Sequence, residues 1–147
     1  MTPTSRAAWT LRCDGGSRGN PGPGALGYVL CDSSGREIEA HGEFLGVCTN
    51  NVAEYRSLIA GLASAAEHGV RDLVVRMDSQ LVVRQMLGQY RVRHDALKPL
   101  HAEARSAAAK IAVVRFESVP RDDNGRADGL VNEALDRALR GPSEFHR

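Results

Sequence analysis

The sequence has few of the residues on which disulfide-bonded or zinc-containing domains depend. Its three cysteines are odd in number and far apart, at Cys13, Cys31 and Cys48. No pair has the spacing of a metal site, so reduced and mostly buried thiols are expected. The five histidines are scattered and form no H-E-x-x-H motif, which argues against a zinc enzyme.

Long apolar runs are also missing. No stretch is long enough to cross a bilayer, and Met1–Ala8 has no apolar core of the kind found in secretion signals. A cytoplasmic protein is therefore expected. The 147 residues, of which 42% are hydrophobic and 25% charged, fit one compact domain. We predict a tail over residues 1–8, a domain over 9–141 and a second tail over 142–147.

The net charge is only +1, but the basic residues are unevenly placed. Between Arg84 and Arg121 the chain carries eight lysines and arginines against three acidic residues. The rest of the chain is correspondingly acidic. A basic segment beside an acidic remainder suits a protein that binds phosphates and also holds cations. Ordinary solvated helix faces explain the same counts, so charge alone does not decide between the two.

The hydrophobic pattern predicts three strands followed by alternating strands and helices. The first strands are expected at Trp9–Asp14, Gly24–Cys31 and Glu37–Gly46. The later elements are a helix over Val52–His68, a strand over Leu73–Met77, helices over Ser79–Gly88 and Asp95–Lys110, a strand over Ile111–Val119 and a helix over Arg126–Arg140. This order predicts an α/β fold in which a mixed sheet carries packed helices.

Four carboxylates are expected at the ends of these elements. Asp14 and Asp78 end the first and fourth strands, and Glu54 and Asp128 lie in the first turns of two helices. Each alone is explained as a turn, cap or helix-dipole residue. Together they are informative, because strand ends and helix starts of an α/β sheet present functional sites. Clustered carboxylates suit Mg²⁺ or Mn²⁺, and two such ions can promote hydrolysis of a phosphodiester.

Four short motifs resemble those of the type 1 ribonucleases H, the ribonuclease HI family. They are Asp14–Gly24 (DGGSRGNPGPG), Thr49–Glu54 (TNNVAE), Met77–Gln80 (MDSQ) and Asn124–Asp128 (NGRAD). The resemblance covers nearly the whole chain, and the first motif is the most specific. It implies the ribonuclease H fold, a five-stranded mixed sheet of three antiparallel and then two parallel strands, flanked by helices on both faces.

The resemblance also implies an endoribonuclease that hydrolyses the RNA strand of RNA–DNA hybrids with two divalent ions, Mg²⁺ or Mn²⁺. It would leave 5′-phosphate and 3′-hydroxyl ends. By similarity, the catalytic residues and metal ligands would be Asp14, Glu54, Asp78 and Asp128. Glu54 would also lie near the RNA 2′-hydroxyl, the group that distinguishes RNA from DNA. The residues expected to contact substrate are Gly15, Asn20, Thr49, Asn51, Ser79, Gln80, Arg121 and Asn124.

The sequence departs from well-studied members of the family in two places. Those members carry a histidine in the loop before the last aspartate, whereas Ser118–Asp128 has none and resembles an archaeal-like branch. Arg121 is the best-placed substitute, but it stays charged and transfers protons poorly. Some members also insert a basic handle between the second and third helices, for which Gln89–Asp95 leaves no room. Modest, salt-sensitive affinity for the hybrid is therefore expected.

Two further features have an interpretation other than a binding role. Gly22–Gly27 matches G-x-G-x-x-G, but a strand rather than a helix follows it. A tight turn between strands therefore explains these glycines better than a dinucleotide site. Tyr90, an aromatic residue in the basic segment, either stacks on the DNA strand or packs on the core.

Other functions remain compatible with parts of the pattern. A non-catalytic nucleic-acid-binding module of the same fold has no need of four carboxylates. An exonuclease or transposase-like nuclease of the wider superfamily fits the first motif and the three-strand meander less well. The chain is expected to be a monomer, and it can also be one domain of a fused protein.

Overall fold

The computed structural model describes residues 7–140. Most of the two predicted tails lie outside the described residues, as do Gly141 and Pro142, which follow the predicted last helix. Within 7–140, no helix combines the length and the apolar character needed to span a bilayer.

A five-stranded mixed sheet forms the centre of the fold. Its strands are β1 (Trp9–Ser17), β2 (Gly22–Cys31), β3 (Glu37–Cys48), β4 (Asp72–Met77) and β5 (Val113–Ser118). The order across the sheet is β3-β2-β1-β4-β5. The first three strands pair antiparallel, whereas β4 runs parallel to both β1 and β5. The predicted fold class is confirmed.

Helices cover both faces of this sheet. They are α1 (Asn50–Glu67), α2 (Gln80–Met86), α3 (Lys98–Ala108) and α4 (Gly125–Arg140), with a 3-10 turn at Arg121–Asn124. Successive residues of a strand point to opposite faces, and β2 shows which helix lies on which face. Leu26 joins the main core under α1, whereas Ala25 packs with Val131 and Leu135 of α4.

The main core lies between the sheet and α1. Helical spacing places Tyr55, Leu58 and Leu62 on one face of α1, and all three are buried against Leu11 and Leu73 of the sheet. Full burial of an aliphatic side chain of this size stabilises the fold by roughly 1.5–3 kcal/mol. The three cysteines are free, as predicted, although one is buried and the other two are only half-buried.

The end of β1 differs from the prediction. The strand continues three residues past Asp14 to Ser17, because the two glycines after Asp14 pair with β2. Asp14 therefore lies within the strand and not at its end. A glycine pair is typical of a turn, but the chain turns after Ser17, where Gly19 has a φ of +91°.

Two helix starts also differ from the prediction. The Thr49 side chain accepts a hydrogen bond of 3.3 Å from the Val52 N–H, so α1 begins at Asn50. Glu54 consequently lies in the second turn of α1 and not in the first. The third helix begins at Lys98 without a side-chain cap, and Asp95 instead forms an ion pair of 3.0 Å with Lys98.

The glycines of β2 make room for α4. The turn predicted for Gly22–Gly27 is not formed, because this segment lies in β2. A Cβ on Gly27 would lie 2.7 Å from the Ala127 carbonyl oxygen of α4. On neighbouring β3, a Cβ on Gly42 would lie 2.6 Å from the Leu130 carbonyl oxygen. The close approach of α4 to these two strands sets the height of its first turn above the sheet.

Candidate active site

The four predicted carboxylates meet in one cleft at the carboxyl edge of the parallel strands. Asp14 of β1, Glu54 of α1 and Asp78 just after β4 each offer an oxygen, and these oxygens all lie within 4.8 Å of one another. Asp128, in the first turn of α4, lines the same cleft and interacts closely enough with Asp14 to raise the pKa of that carboxyl group. Segments that are distant in sequence are thus brought together by the sheet topology.

Gly15 fixes the position of Glu54. Its N–H donates a hydrogen bond of 3.0 Å to Glu54 Oε1. A Cβ at this position would overlap the Ala53 carbonyl group, so only glycine lets β1 approach α1 this closely. Gly15 lines the cleft, as expected of a substrate contact, but its N–H is already bound to Glu54.

Asn124 lies in the interior and not on the surface of the cleft. Its side chain is 1% exposed, which leaves no surface for the direct substrate contact predicted from the sequence. Its Nδ2 instead donates hydrogen bonds to the Cys13 carbonyl oxygen and to Asp78 Oδ1. Asn124 therefore orients one carboxylate of the cluster.

The carboxylates of the cluster perturb each other's protonation. Burial, followed by the charge of Asp78 and the nearby Asp128 carboxyl group, raises the pKa of Asp14 from 3.8 to about 8. Burial and the charges of Asp14 and Asp78 raise the pKa of Glu54 well above its ordinary value. Both shifts come from negative charges held together away from water. Hard oxygen donors under such repulsion fit divalent cations such as Mg²⁺ or Mn²⁺.

Arg121 stands at the mouth of the cleft. Its Nε lies 3.5 Å from Asp78 Oδ2, and its side chain is 87% exposed. It is one of the residues lining the cleft. The structure therefore places this predicted substrate contact beside the carboxylates, where its guanidinium is accessible to an anion.

Three other predicted contacts line a second cleft, of about 260 Å³. These are Asn20, Thr49 and Asn51, together with His94. The two clefts are neighbours, because the Asn50 N–H donates a hydrogen bond of 3.0 Å to Asn20 Oδ1 while Asn50 itself lines the carboxylate cleft.

The remaining predicted contacts lie at the start of α2. The Ser79 hydroxyl accepts a hydrogen bond of 3.3 Å from the Val82 N–H and so caps the helix. Gln80 follows it and is exposed. Tyr90, beyond the end of α2, is 47% exposed. The Arg84 guanidinium lies 5.3 Å from the centre of its ring, so Tyr90 packs on a cation and not in the core.

The sequence interpretation missed four polar residues that line the carboxylate cleft: Ser17, Arg18, Asn50 and Asn132. Asn132 had a recognisable signal, because it follows Asp128 by one helical turn on the same face. Its Nδ2 donates a hydrogen bond of 3.3 Å to Asp128 Oδ2. Asn50 had no such signal. Its Oδ1 accepts a hydrogen bond of 2.8 Å from the Ser17 N–H, and Ser17 belongs to another element.

Comparison with known proteins relates the chain to curated sequences. A family model described as "Reverse transcriptase-like" matches residues 12–134. The bifunctional protein Rv2228c of Mycobacterium tuberculosis is 44% identical over 129 residues, which is 87% of this chain and 35% of that protein. The ribonuclease HI of Halobacterium salinarum is 44% identical over 125 residues, which is 85% of this chain and 63% of that protein. The chain thus spans less than two thirds of the length of these relatives.

Three solved structures match over almost their full length. The N-terminal RNase H domain of Rv2228c, fused to maltose-binding protein, gives a TM-score of 0.88 at 41% identity, covering 92% of this chain and 98% of that one. For the Halobacterium salinarum RNase H1 the TM-score is 0.86 at 42% identity, with 88% and 98% covered. LC11-RNase H1, solved with an RNA/DNA hybrid, gives 0.85 at 40% identity, with 89% and 99% covered. The fold and these identities show that the chain belongs to the ribonuclease HI family.

Proposed function

We propose that this chain is a metal-dependent endoribonuclease that hydrolyses the RNA strand of RNA–DNA hybrids and leaves 5′-phosphate and 3′-hydroxyl ends. The observation that carries the proposal is the convergence of Asp14, Glu54 and Asp78, with Asp128 beside them, in one open cleft. Its relatives support the same activity, since they include ribonucleases HI and a structure solved with an RNA/DNA hybrid.

The four carboxylates would hold two Mg²⁺ or Mn²⁺ ions. When bound, such ions supply an activated water and stabilise the leaving 3′-oxygen of a phosphodiester. The chain's own contribution is to fix the ligands. Gly15 holds Glu54, Asn124 holds Asp78, and the close packing of α4 on the sheet places Asp128. Carboxylates held in this way need little reorganisation when substrate arrives.

Proton transfer in this cleft would not use a histidine. Among the described residues that line the cleft there is none, in agreement with the absence noted in the loop before Asp128. Arg121 would bind the reacting phosphate or the 5′-phosphate of the product, because its guanidinium is charged, accessible and adjacent to Asp78. Solvent water would carry the protons.

Recognition of the hybrid would depend on backbone and sugar contacts, without reading of sequence. Glu54 would face the RNA 2′-hydroxyl at the cut site. Asn20, Thr49 and Asn51 would contact the hybrid from the second cleft, with Thr49 nearest a phosphate of the DNA strand. Gln80, exposed at the start of α2, would add a further contact.

We infer that the protein acts as a cytoplasmic monomer.

Cleavage of a labelled RNA–DNA hybrid with Mg²⁺ or Mn²⁺ tests the proposal, beside single-stranded RNA, duplex RNA and duplex DNA. Wild type should cut only the RNA of the hybrid, and Asp78→Asn should abolish the cutting. The matched control is Asp122→Asn, which removes an exposed carboxylate that does not line the cleft. Binding of the hybrid without cleavage under either metal would contradict the proposal and favour a non-catalytic binding module.

A further inference from the structure

Arg18 is a second guanidinium at the rim of the carboxylate cleft, and its side chain is held by α4. Its Nη2 donates a hydrogen bond of 2.8 Å to Asp136 Oδ1 and one of 3.3 Å to Asn132 Oδ1. The side chain nevertheless remains 42% exposed. Arg18 lines the same cleft as the carboxylates. A partly exposed cation is therefore fixed beside the cluster by two residues of one helix.

The backbone that carries Arg18 is fixed as well. Its N–H donates a hydrogen bond of 2.9 Å to the Pro23 carbonyl oxygen across the β1–β2 turn. On the other side of that turn a Cβ on Gly22 would overlap the Arg18 carbonyl oxygen. Ser17, directly before Arg18, donates its N–H to Asn50 of α1. The position of the guanidinium is thus set during folding, which lowers the entropy lost when it binds a ligand.

The charges around the cleft indicate what this cation binds. Four carboxylates line the cleft, and among the described residues lining it the only cations are Arg18 and Arg121. Arg121 contacts Asp78 and so belongs to the point of reaction. Arg18 lies instead on the α4 side, with Asn132 and Asp136. A nucleic-acid strand carries one phosphate per nucleotide, so a strand with one phosphate at the carboxylates presents others along the rim.

We propose that Arg18 binds a non-scissile phosphate of the RNA strand, and that Asp136 and Asn132 are positioning residues for its guanidinium. The planar fork of an arginine suits a phosphate, and the hydrogen bonds to α4 occupy one of its nitrogens. This inference rests on the proposed function and deepens it, since it names a contact that keeps the RNA strand in register with the carboxylates.

Steady-state cleavage of the hybrid by Arg18→Gln tests the phosphate contact. We expect kcat/KM to fall about tenfold, mainly through KM, and the slope of log kcat/KM against log salt to become shallower by about 1. The matched control is Arg36→Gln, an exposed arginine on the β2–β3 turn at the far end of β2. Arg18→Lys keeps the positive charge but loses the planar guanidinium, so its kcat/KM should lie between those of Arg18→Gln and Arg36→Gln. Equal kcat/KM and equal salt slopes for Arg18→Gln and Arg36→Gln would overturn the proposal.

The variant Asp136→Asn separates positioning from simple electrostatics. Removal of a negative charge near the cleft should raise affinity for a polyanion if Asp136 acts only through its charge. A positioning role predicts the opposite, a fall of a few fold in kcat/KM. Glu133→Gln is the matched control, because it removes an exposed carboxylate of the same helix. A rise for Asp136→Asn equal to that for Glu133→Gln would remove Asp136 from the proposal.

Two further measurements keep the outcomes distinct. Thermal unfolding of each variant shows whether a loss of activity reflects a loss of folded protein. Hybrid binding by fluorescence anisotropy in EDTA, where nothing is cut, gives the comparison of Arg18→Gln with Arg36→Gln independently of turnover. If the wild type binds the hybrid but does not cut it, the proposed function is contradicted. If the wild type cuts the hybrid and Arg18→Gln equals it in both cleavage and binding, only the inference about Arg18 is contradicted.

Discussion

The Asn124 side chain donates a hydrogen bond of 3.1 Å to Asp78 Oδ1 from the turn that precedes α4. The same amide nitrogen lies 2.8 Å from the Cys13 carbonyl oxygen of β1. One buried side chain thus joins the middle of β1 and the end of β4 to the start of α4. The carboxylates at these three places depend on it for their mutual orientation.

Replacement of Asn124 by alanine should therefore affect both stability and the site. Loss of one buried and one partly buried hydrogen bond is expected to lower the free energy of unfolding by ~1–3 kcal/mol. Asp78 would also lose its orientation, so Mg²⁺ affinity and kcat should both fall. Chemical denaturation and titration calorimetry measure the two effects. Asp122→Asn, on the exposed side of the same turn, should leave both unchanged. Wild-type Mg²⁺ affinity in Asn124→Ala would contradict a role in orientation.

The raised pKa of Asp14 predicts that the metal-free protein loses stability as the pH rises. The folded state holds this proton with a pKa of about 8, compared with 3.8 for the ordinary carboxyl group. The stabilisation is fully present below about pH 4 and is lost as the pH approaches 8. Asp14→Asn removes the charge and should raise the free energy of unfolding at pH 8 by ~1–3 kcal/mol.

Denaturant unfolding in EDTA between pH 4 and 8 measures this dependence. Asp122→Asn provides the comparison, because it removes an exposed carboxylate outside the cluster. The wild-type curve should fall more steeply than that of Asp14→Asn. Parallel curves for the wild type and Asp14→Asn would show that Asp14 titrates as an ordinary carboxyl group.

Metal binding should release protons and strengthen with pH. Since the pKa of Asp14 is about 8 without metal, a divalent ion must displace a proton from the cluster at neutral pH. We expect the Mg²⁺ affinity to rise from pH 6 to pH 8. Calorimetry in buffers of different ionisation enthalpy counts the protons released. An affinity that is flat across this range, without proton release, would contradict the prediction.

The packing of α4 on the sheet predicts different effects for two glycine-to-alanine changes. Gly27→Ala places a methyl group 2.7 Å from the Ala127 carbonyl oxygen, so α4 must shift. We expect a loss of ~1–3 kcal/mol in the free energy of unfolding. Activity should fall too, because Asp128 moves with the helix. Gly129→Ala meets nothing within 4 Å and should stabilise α4 by ~0.5–1 kcal/mol. Equal stability of the two variants would show that α4 packs less closely than described.

The element order was predictable from the sequence because apolar residues repeat with the period of each element. Tyr55, Leu58 and Leu62 mark the inner face of α1 at helical spacing, and all three are buried. The end of β1 was not predictable, since Gly15 and Gly16 have the composition of a turn. They extend the strand because β2 supplies their partners, and such long-range pairing has no local signal.

In the candidate site too, local sequence was enough to predict some residues, whereas others depend on tertiary contacts that the sequence does not show. The positions of the four carboxylates drew attention to them as a set but left each open to an ordinary explanation, and the resemblance to a family supplied their role as metal ligands. Asn124 was expected at the substrate because it belongs to the fourth motif of the resemblance, but its burial depends on the surrounding fold. Arg18 was overlooked within the first motif because its partners, Asn132 and Asp136, lie more than a hundred residues away.

The position of Asp128 on the last described helix has a practical consequence. A cut in the segment between β5 and α4 divides the chain into a piece with Asp14, Glu54 and Asp78 and a piece with Asp128. Neither fragment holds the complete set of carboxylates. If the two reassemble through the apolar face of α4, hybrid cleavage would appear only upon association, and the fold would then serve as a split-enzyme reporter of proximity.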